Sequence, residues 1–179
     1  MSISASRRSF VNLMGFAAVA AVAGATGVRP AFAGALPAPQ GKVVLTMSGM
    51  ISNTNKDSAA QFDVAMLEKM GMQSFSTATP WYDGKVTFEG VSMAKLMEYV
   101  GAKGTTITVK ALNDYATDIP MDDFKKYPVI LALKRDGNYM PVRDKGPLFI
   151  VYPYDSDSDL KHQRFYSRSA WQVAQIIVK

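Results

Sequence analysis

The 179-residue chain is 48% hydrophobic, holds one histidine and no cysteine, and carries a formal net charge of +5. Without a thiol it has no disulfide, no cysteine nucleophile and no thiolate metal ligand, and a single imidazole cannot build a multi-histidine zinc site. Nor does the charge point to nucleic acid: Arg7, Arg8 and Arg29 precede Gly34 and no acidic residue does, so 17 basic side chains face 15 acidic ones beyond it, without the clustering that a phosphate backbone requires.

Residues 1–33 read as a signal peptide. SRRSFV places Arg7-Arg8 ahead of Phe10 and Val11, an apolar run of small residues continues to Gly27, and Ala31-Phe32-Ala33 has the small-x-small pattern of a cleavage site. The paired arginines assign it to the twin-arginine route. The run is mostly Ala, Val and Gly, a poor permanent anchor, so no stable membrane insertion is expected after cleavage. The expected compartment is the periplasm. Residues 34–41, GALPAPQG, read as a flexible leader, and residues 42–179 as a single domain.

Lys42–Met50 opens that domain as a strand, and ISNTNKDSAAQ follows as a polar surface loop. Asp63 is placed to cap a short helix with Val64, Leu67 and Met70 on its buried side, ended by Gly71. The stretch Ser74–Gly101 comes next. It starts as a strand carrying Phe75 and is broken by Pro80, which has no N–H to donate. Trp81 and Tyr82 follow, Asp83-Gly84 is expected as the tight turn, and VTFEGV as a short strand. Met93, Leu96, Met97 and Val100 recur at helical spacing between Ser92, a natural N-cap, and Gly101, a natural stop.

Thr105–Leu112 alternates as a half-buried strand, turns at Asn113-Asp114 and returns over Tyr115–Ile119. MDDFKKY reads as a helical turn. VILALKRDG reads as a strand entering a hairpin turn at Asp136-Gly137-Asn138, with Tyr139–Val142 returning. LFIVYPY is a further apolar strand and YDSDSDLKHQ a solvated loop. Its alternate aspartates lack the glycine and terminal glutamate of a calcium-binding loop. RFYSRSAW leads to a closing strand with Val173 and Ile177 on one face. Short strands with a few short helices predict an α+β domain with a mixed β-sheet core.

No catalytic constellation assembles from these residues. The single histidine, His162, falls in a polar loop, and no serine occupies a nucleophile elbow. The binding inventory is richer. Trp81, Tyr82, Tyr115 and Trp171 offer stacking faces; Arg143, Lys145, Arg164 and Arg168 offer donors; Asp114, Asp118 and Asp144 offer acceptors. That set suits a planar heterocycle with amide and amino edges. The alternative for each tryptophan is a plain core role.

KVVLTMSG, FSTATPW, VTFEGVSMAKLMEYVGA, ITVKALNDYATDIPMDD, RDKGPLFIVYPYD and SRSAWQVAQIIV, in that order, resemble the molybdopterin-binding domain of the sulfite oxidase family, particularly its small exported single-domain members. The resemblance implies that family's α+β fold and a pterin slot. It also implies a metal-ligating cysteine within FSTATPW, where this chain has Thr77, Ala78 and Thr79, and a phosphate donor in the last loop, where Trp171 stands in the place of a lysine. Cysteine-less relatives of this kind look like periplasmic pterin-binding proteins, some acting as ligand-sensing partners of inner-membrane signalling proteins. The expected function is therefore pterin binding without redox chemistry and without molybdenum. The expected site comprises Thr77, Thr79, Trp81, Tyr82, Tyr115, Asp118, Lys145, Arg164, Arg168 and Trp171. The expected partner is the periplasmic domain of a signalling protein. Two alternatives stand beside it: a molybdopterin-dependent oxidoreductase subunit, and a structural or chaperone-like subunit with an empty pocket.

Export gives the first test. Replacing Arg7 and Arg8 together by lysine is expected to hold the precursor in the cytoplasm while the mature domain still folds, as read by cell fractionation; export at the full rate would rule out the twin-arginine route.

Overall fold

The chain was analysed as a computed structural model, which describes residues 34–179. The predicted signal peptide lies outside the described residues. In chain order the elements are β1 (Leu45–Gly49), β2 (Ala60–Phe62), α1 (Val64–Lys69), β3 (Met72–Thr79), β4 (Tyr82–Ser92), α2 (Met93–Tyr99), β5 (Thr106–Ala111), β6 (Ala116–Pro120), α3 (Asp122–Lys126), β7 (Ile130–Arg135), β8 (Asn138–Tyr139), β9 (Phe149–Val151), α4 (Gln163–Arg168) and β10 (Val173–Val178).

The strands form two sheets. One runs β2-β1-β10-β5-β6; the other runs β3-β4-β7-β8, with β9 also paired to β7. Strand β10 is parallel to β1 and antiparallel to β5, so the last strand in sequence lies at the centre of its sheet. Such a position needs both of its edges satisfied and its inward side chains apolar, and Val173, Ile176 and Val178 are all buried. Pro120 sits on β6, an edge strand, where its missing N–H costs no ladder bond. One mixed and one antiparallel sheet with short helices make this the expected α+β fold.

Local chemistry explains most of the boundaries. Asp63 accepts the Met66 N–H at the start of α1 and also those of Gln40 and Gly41, at 2.8, 2.8 and 2.7 Å. These donors hold its carboxyl below the usual range, the Met66 bond contributing most. Ser92 caps α2 through the Lys95 N–H, and Gly101 follows it with φ of 60°. Asp136 and Gly137, with φ of 49° and 79°, make the two-residue hairpin turn between β7 and β8.

Several expectations are corrected. The turn between β3 and β4 is not Asp83-Gly84 but Pro80-Trp81, with Thr79 paired to Tyr82. Proline fixes a negative φ, which suits the first turn position and excludes the primed turns that match strand twist. The mismatch is absorbed one step later, where Ala78 pairs with Lys85 and the intervening Asp83 and Gly84 bulge out of register, Gly84 at φ of 70°. Strand β4 thus runs from Tyr82 through the predicted VTFEGV. On β10 a register shift between Val173 and Gln175 breaks simple alternation, so Ile176 rather than Ile177 shares the buried face with Val173. RFYSRSAW contains helix α4, whose N-cap is His162, its Nδ1 3.3 Å from the Arg164 N–H.

The polar loop after β1 is tied down: Asn55 bonds both ways to the Gln61 backbone and donates to the Pro37 carbonyl, and the loop ends in β2. Residues 34–41 lie along it. Leu36 donates to the Thr54 carbonyl, and Gln40 and Gly41 donate to Asp63.

Gly90 shows how closely β4 and β7 approach. A Cβ there would stand 2.1 Å from the Leu131 carbonyl oxygen, whereas at Gly41 the nearest atom would be 3.4 Å away. Gly90→Ala is therefore expected to lower stability by about 1–3 kcal/mol or more, and Gly41→Ala to stay within about 0.5 kcal/mol of the parent. Urea unfolding of the two variants reads the difference.

Candidate ligand-binding site

The Pro80-Trp81 turn delivers the Trp81 indole into a group of aromatic rings. It meets Phe149, Tyr154, Tyr166 and Trp171 edge to face, with centroids 5.4, 6.2, 6.0 and 5.7 Å away. Edge-to-face packing sets the positive rim of one ring against the negative face of another, so the cluster is held by orientation as well as by burial. Its members come from β9, the segment after it, α4 and the approach to β10. Phe149 and Trp171 are also joined by a backbone bridge.

Tyr154 and the end of β3 are bound together at the same place. The Asp155 N–H donates to Thr77 Oγ1 at 3.1 Å, and the Asp155 carboxylate accepts the Ala78 N–H at 3.0 Å. Lys161 and Lys85 approach that carboxylate to 2.9 and 3.2 Å. Lys161 and the Ala78 N–H, in that order, hold the carboxyl well below the usual range. The loop read as merely solvated thus carries the clasp between β3 and the aromatic cluster.

Helix α4 sorts its side chains by period. Gln163, Tyr166 and Ser167, at i, i+3 and i+4, share one face. Arg164 and Arg168, also four apart, lie on another, their guanidinium carbons 4.7 and 5.4 Å from the Phe165 ring centroid. Arg168 is bonded at 2.8 Å to Asp123, which also accepts the Tyr152 hydroxyl at 2.8 Å. Burial, then the Asp123 charge, pushes the Tyr152 hydroxyl up, so it stays a neutral donor.

Beside the cluster lies a cavity of about 330 Å³, lined by Trp81, Tyr115, Gln163, Tyr166, Ser167 and Trp171, with Pro80, Asn113 and Ser169 completing its wall. That volume is at the small end of the range for ligand sites, about 300–1,000 Å³. A larger groove of about 480 Å³ runs along β1 and β10 between Val43, Leu112, Val142 and Val173. It offers no aromatic face, whereas four aromatic side chains line the smaller cavity.

Of the residues singled out in the sequence, Trp81, Tyr115 and Trp171 line this cavity. The others lie elsewhere. Thr77 is buried, its hydroxyl bonded to the Asp155 N–H and the Ala78 carbonyl. Thr79 accepts the Trp81 N–H at 3.4 Å and steadies the turn from behind. Tyr82 points to a separate cluster: its hydroxyl donates to Asp144 at 3.1 Å, with Arg135 and Lys145 each 4.4 Å from its ring centroid. Lys145 borders the cavity only through Trp171, 5.8 Å away. Asp118 accepts the Thr108 hydroxyl on the β5–β6 ladder. Arg164 and Arg168 are turned to Phe165. No carboxylate lines the cavity: Asp114, Asp118 and Asp144, the acceptors picked out in the sequence, are absent from its wall, whose polar groups are amides and hydroxyls. Tyr166, Gln163 and Ser167 are not among the residues expected from the sequence, where Gln163 ends a polar loop and RFYSRSAW is assigned no element; their i, i+3, i+4 spacing is the available signal.

Among the described residues no group of three or more His, Cys, Asp or Glu side chains is placed to hold a metal ion. Comparison with curated proteins finds none that matches. A family model described as the oxidoreductase molybdopterin binding domain matches residues 40–155, well over half of the chain. The match takes in β1 through β9 and the Trp81 turn, and stops short of α4 and Trp171. The chain therefore belongs to the oxidoreductase molybdopterin-binding domain family.

Proposed function

We propose that this member of the family binds a planar heterocycle of the pterin class in the cavity beside Trp81, without redox chemistry. One observation carries the reading: two indoles and two phenols, from Trp81, Trp171, Tyr115 and Tyr166, converge on one cavity whose other side chains, Pro80 apart, are amides and hydroxyls. Ring faces hold a flat ligand by stacking, and neutral donors and acceptors read its edge. In the same proposal the protein acts in the periplasm, a reading supported by the twin-arginine pattern of residues 1–33. There it reports ligand occupancy to the periplasmic domain of an inner-membrane signalling protein.

A second reading, a molybdopterin-dependent oxidoreductase subunit, is favoured by the family match itself. The residues present do not fit the metal-bearing form of that cofactor. The chain has no cysteine to supply a soft thiolate. Where the sequence aligns that ligand, Thr77 is committed to Asp155 and Thr79 to the Trp81 N–H. Cationic side chains are also missing from the cavity wall, where the cofactor's phosphate would need one. The third reading, a cleft closed by its own tryptophans, is disfavoured by the open volume left beside the Trp81–Trp171 pair.

Tyr115 and Trp171 give the cleaner test, since Trp81 packs against four rings, two of them the buried Phe149 and Tyr154. Tyr115 is 43% exposed, so its replacement spares the fold. Losing one stacking ring is expected to weaken binding by about 1–3 kcal/mol, or roughly tenfold and more. Tyr115→Ala and Trp171→Ala, titrated with neopterin by fluorescence and unfolded in urea, are expected to lose affinity beyond any loss of stability. Trp81→Ala is expected to lose both, with a stability cost of about 3–5 kcal/mol. Unchanged affinity in folded Tyr115→Ala and Trp171→Ala would place the ligand elsewhere.

A further inference from the structure

The polar atoms around the cavity divide into those already used and those left available. The Ser169 hydroxyl is taken by Tyr154 and the Phe165 carbonyl, and the Tyr115 hydroxyl donates to the Ser167 carbonyl at 2.7 Å. The Asn113 side-chain oxygen accepts the Tyr115 N–H at 3.3 Å. Among the described residues no partner engages the indole N–H of Trp81 or Trp171, the Tyr166 hydroxyl, the Asn113 side-chain NH2 or the Gln163 side-chain oxygen. Every available group is an uncharged donor or acceptor.

The neighbouring cations face other groups. Arg168 is on Asp123, with Arg164 against Phe165 on the same face of α4. Lys161 is close enough to Tyr166 for its charge to be felt there, yet its ammonium sits 2.9 Å from Asp155, a carboxylate it shares with Lys85. Lys145 lies between the Tyr82 ring and Asp144. Next in sequence to lining residues stand one exposed carboxylate, Asp114 between Asn113 and Tyr115, and the two arginines Arg164 and Arg168, which share a different face of α4.

We infer that this site selects an uncharged heterocycle and discriminates against the phosphorylated form of the same molecule. The inference rests on the heterocycle-binding reading above and narrows its ligand class. A phosphate brought to this wall gives up hydration and finds no cation in exchange, and a buried or half-buried charge without a partner is costly. The neutral ring meets no such penalty. The available N–H and oxygen groups instead match a ring edge that presents both carbonyl and amino functions.

The test titrates the full mature protein with neopterin and with neopterin monophosphate, at low and at high ionic strength. The expected result is a dissociation constant at least about tenfold weaker for the monophosphate, and a neopterin affinity that salt leaves unchanged. Gln163→Lys, which sets a cation on the cavity wall, is expected to shrink that ratio by improving the monophosphate. Equal or tighter binding of the monophosphate by the parent protein would overturn the inference while leaving heterocycle binding in place. Failure of both compounds to bind would overturn the heterocycle reading and the inference with it.

Discussion

The Trp81 indole joins parts of the chain that the backbone ladders leave separate. It sits in a two-residue turn at the end of the β3–β4 hairpin and makes edge-to-face contact with rings from β9, from the segment after β9, from α4 and from the approach to β10. The hairpin tip has no strand partner beyond Thr79 and Tyr82, so its position depends on these ring contacts and on the Asp155 clasp. A turn that begins with proline cannot follow the strand twist, and the bulge at Asp83-Gly84 is what lets Trp81 enter the cluster while β4 stays in register with β7. The site is thus a by-product of packing. The same rings that close one end of the domain present their outer surfaces to the cavity.

Electrostatics then decides what the cavity can hold. The domain has ample cations, but near this end most are paired, Arg168 with Asp123, Lys85 and Lys161 with Asp155, and Arg135 with Asp144 at 2.7 Å, while Arg164 lies over the Phe165 ring. Burial works against the Asp144 charge, but the Tyr82 hydroxyl and Arg135 outweigh it and hold its carboxyl below the ordinary range. What remains toward the cavity is aromatic and neutral. Family membership gives the fold; the side chains on this particular wall give the cavity its chemistry.

The fold was legible where one residue type decides a local geometry. Asp63 and Ser92 capped the helices expected of them, Gly101 ended α2, and Asp136-Gly137 formed the hairpin turn. The order of the strands in the sheets was not legible, because pairing is a long-range choice: nothing local to VAQIIV says that it will lie between β1 and β5. The aromatic part of the candidate cavity's lining was legible. Trp81, Tyr115 and Trp171 could be picked out as large flat side chains next to strand breaks. The charged candidates went astray for a physical reason. Arg168 and Asp118 are paired within the domain with Asp123 and Thr108, and a sequence displays a polar group without displaying its partner; Arg164 and the neutral Tyr82 face Phe165 and Asp144 instead of the cavity. Helix α4 was hidden by its length of six residues, too few turns for periodicity to stand out against a polar background.

The central claim is that this family fold holds a pterin-type heterocycle in a metal-free, aromatic cavity. Mass spectrometry of small molecules released from protein purified from its native compartment, with molybdenum measured on the same sample, tests it most directly. The account predicts a released pterin without a phosphate, in near-stoichiometric amount, and no stoichiometric molybdenum. Molybdopterin released with about one molybdenum per chain, retained through gel filtration, would contradict it and establish the oxidoreductase reading instead.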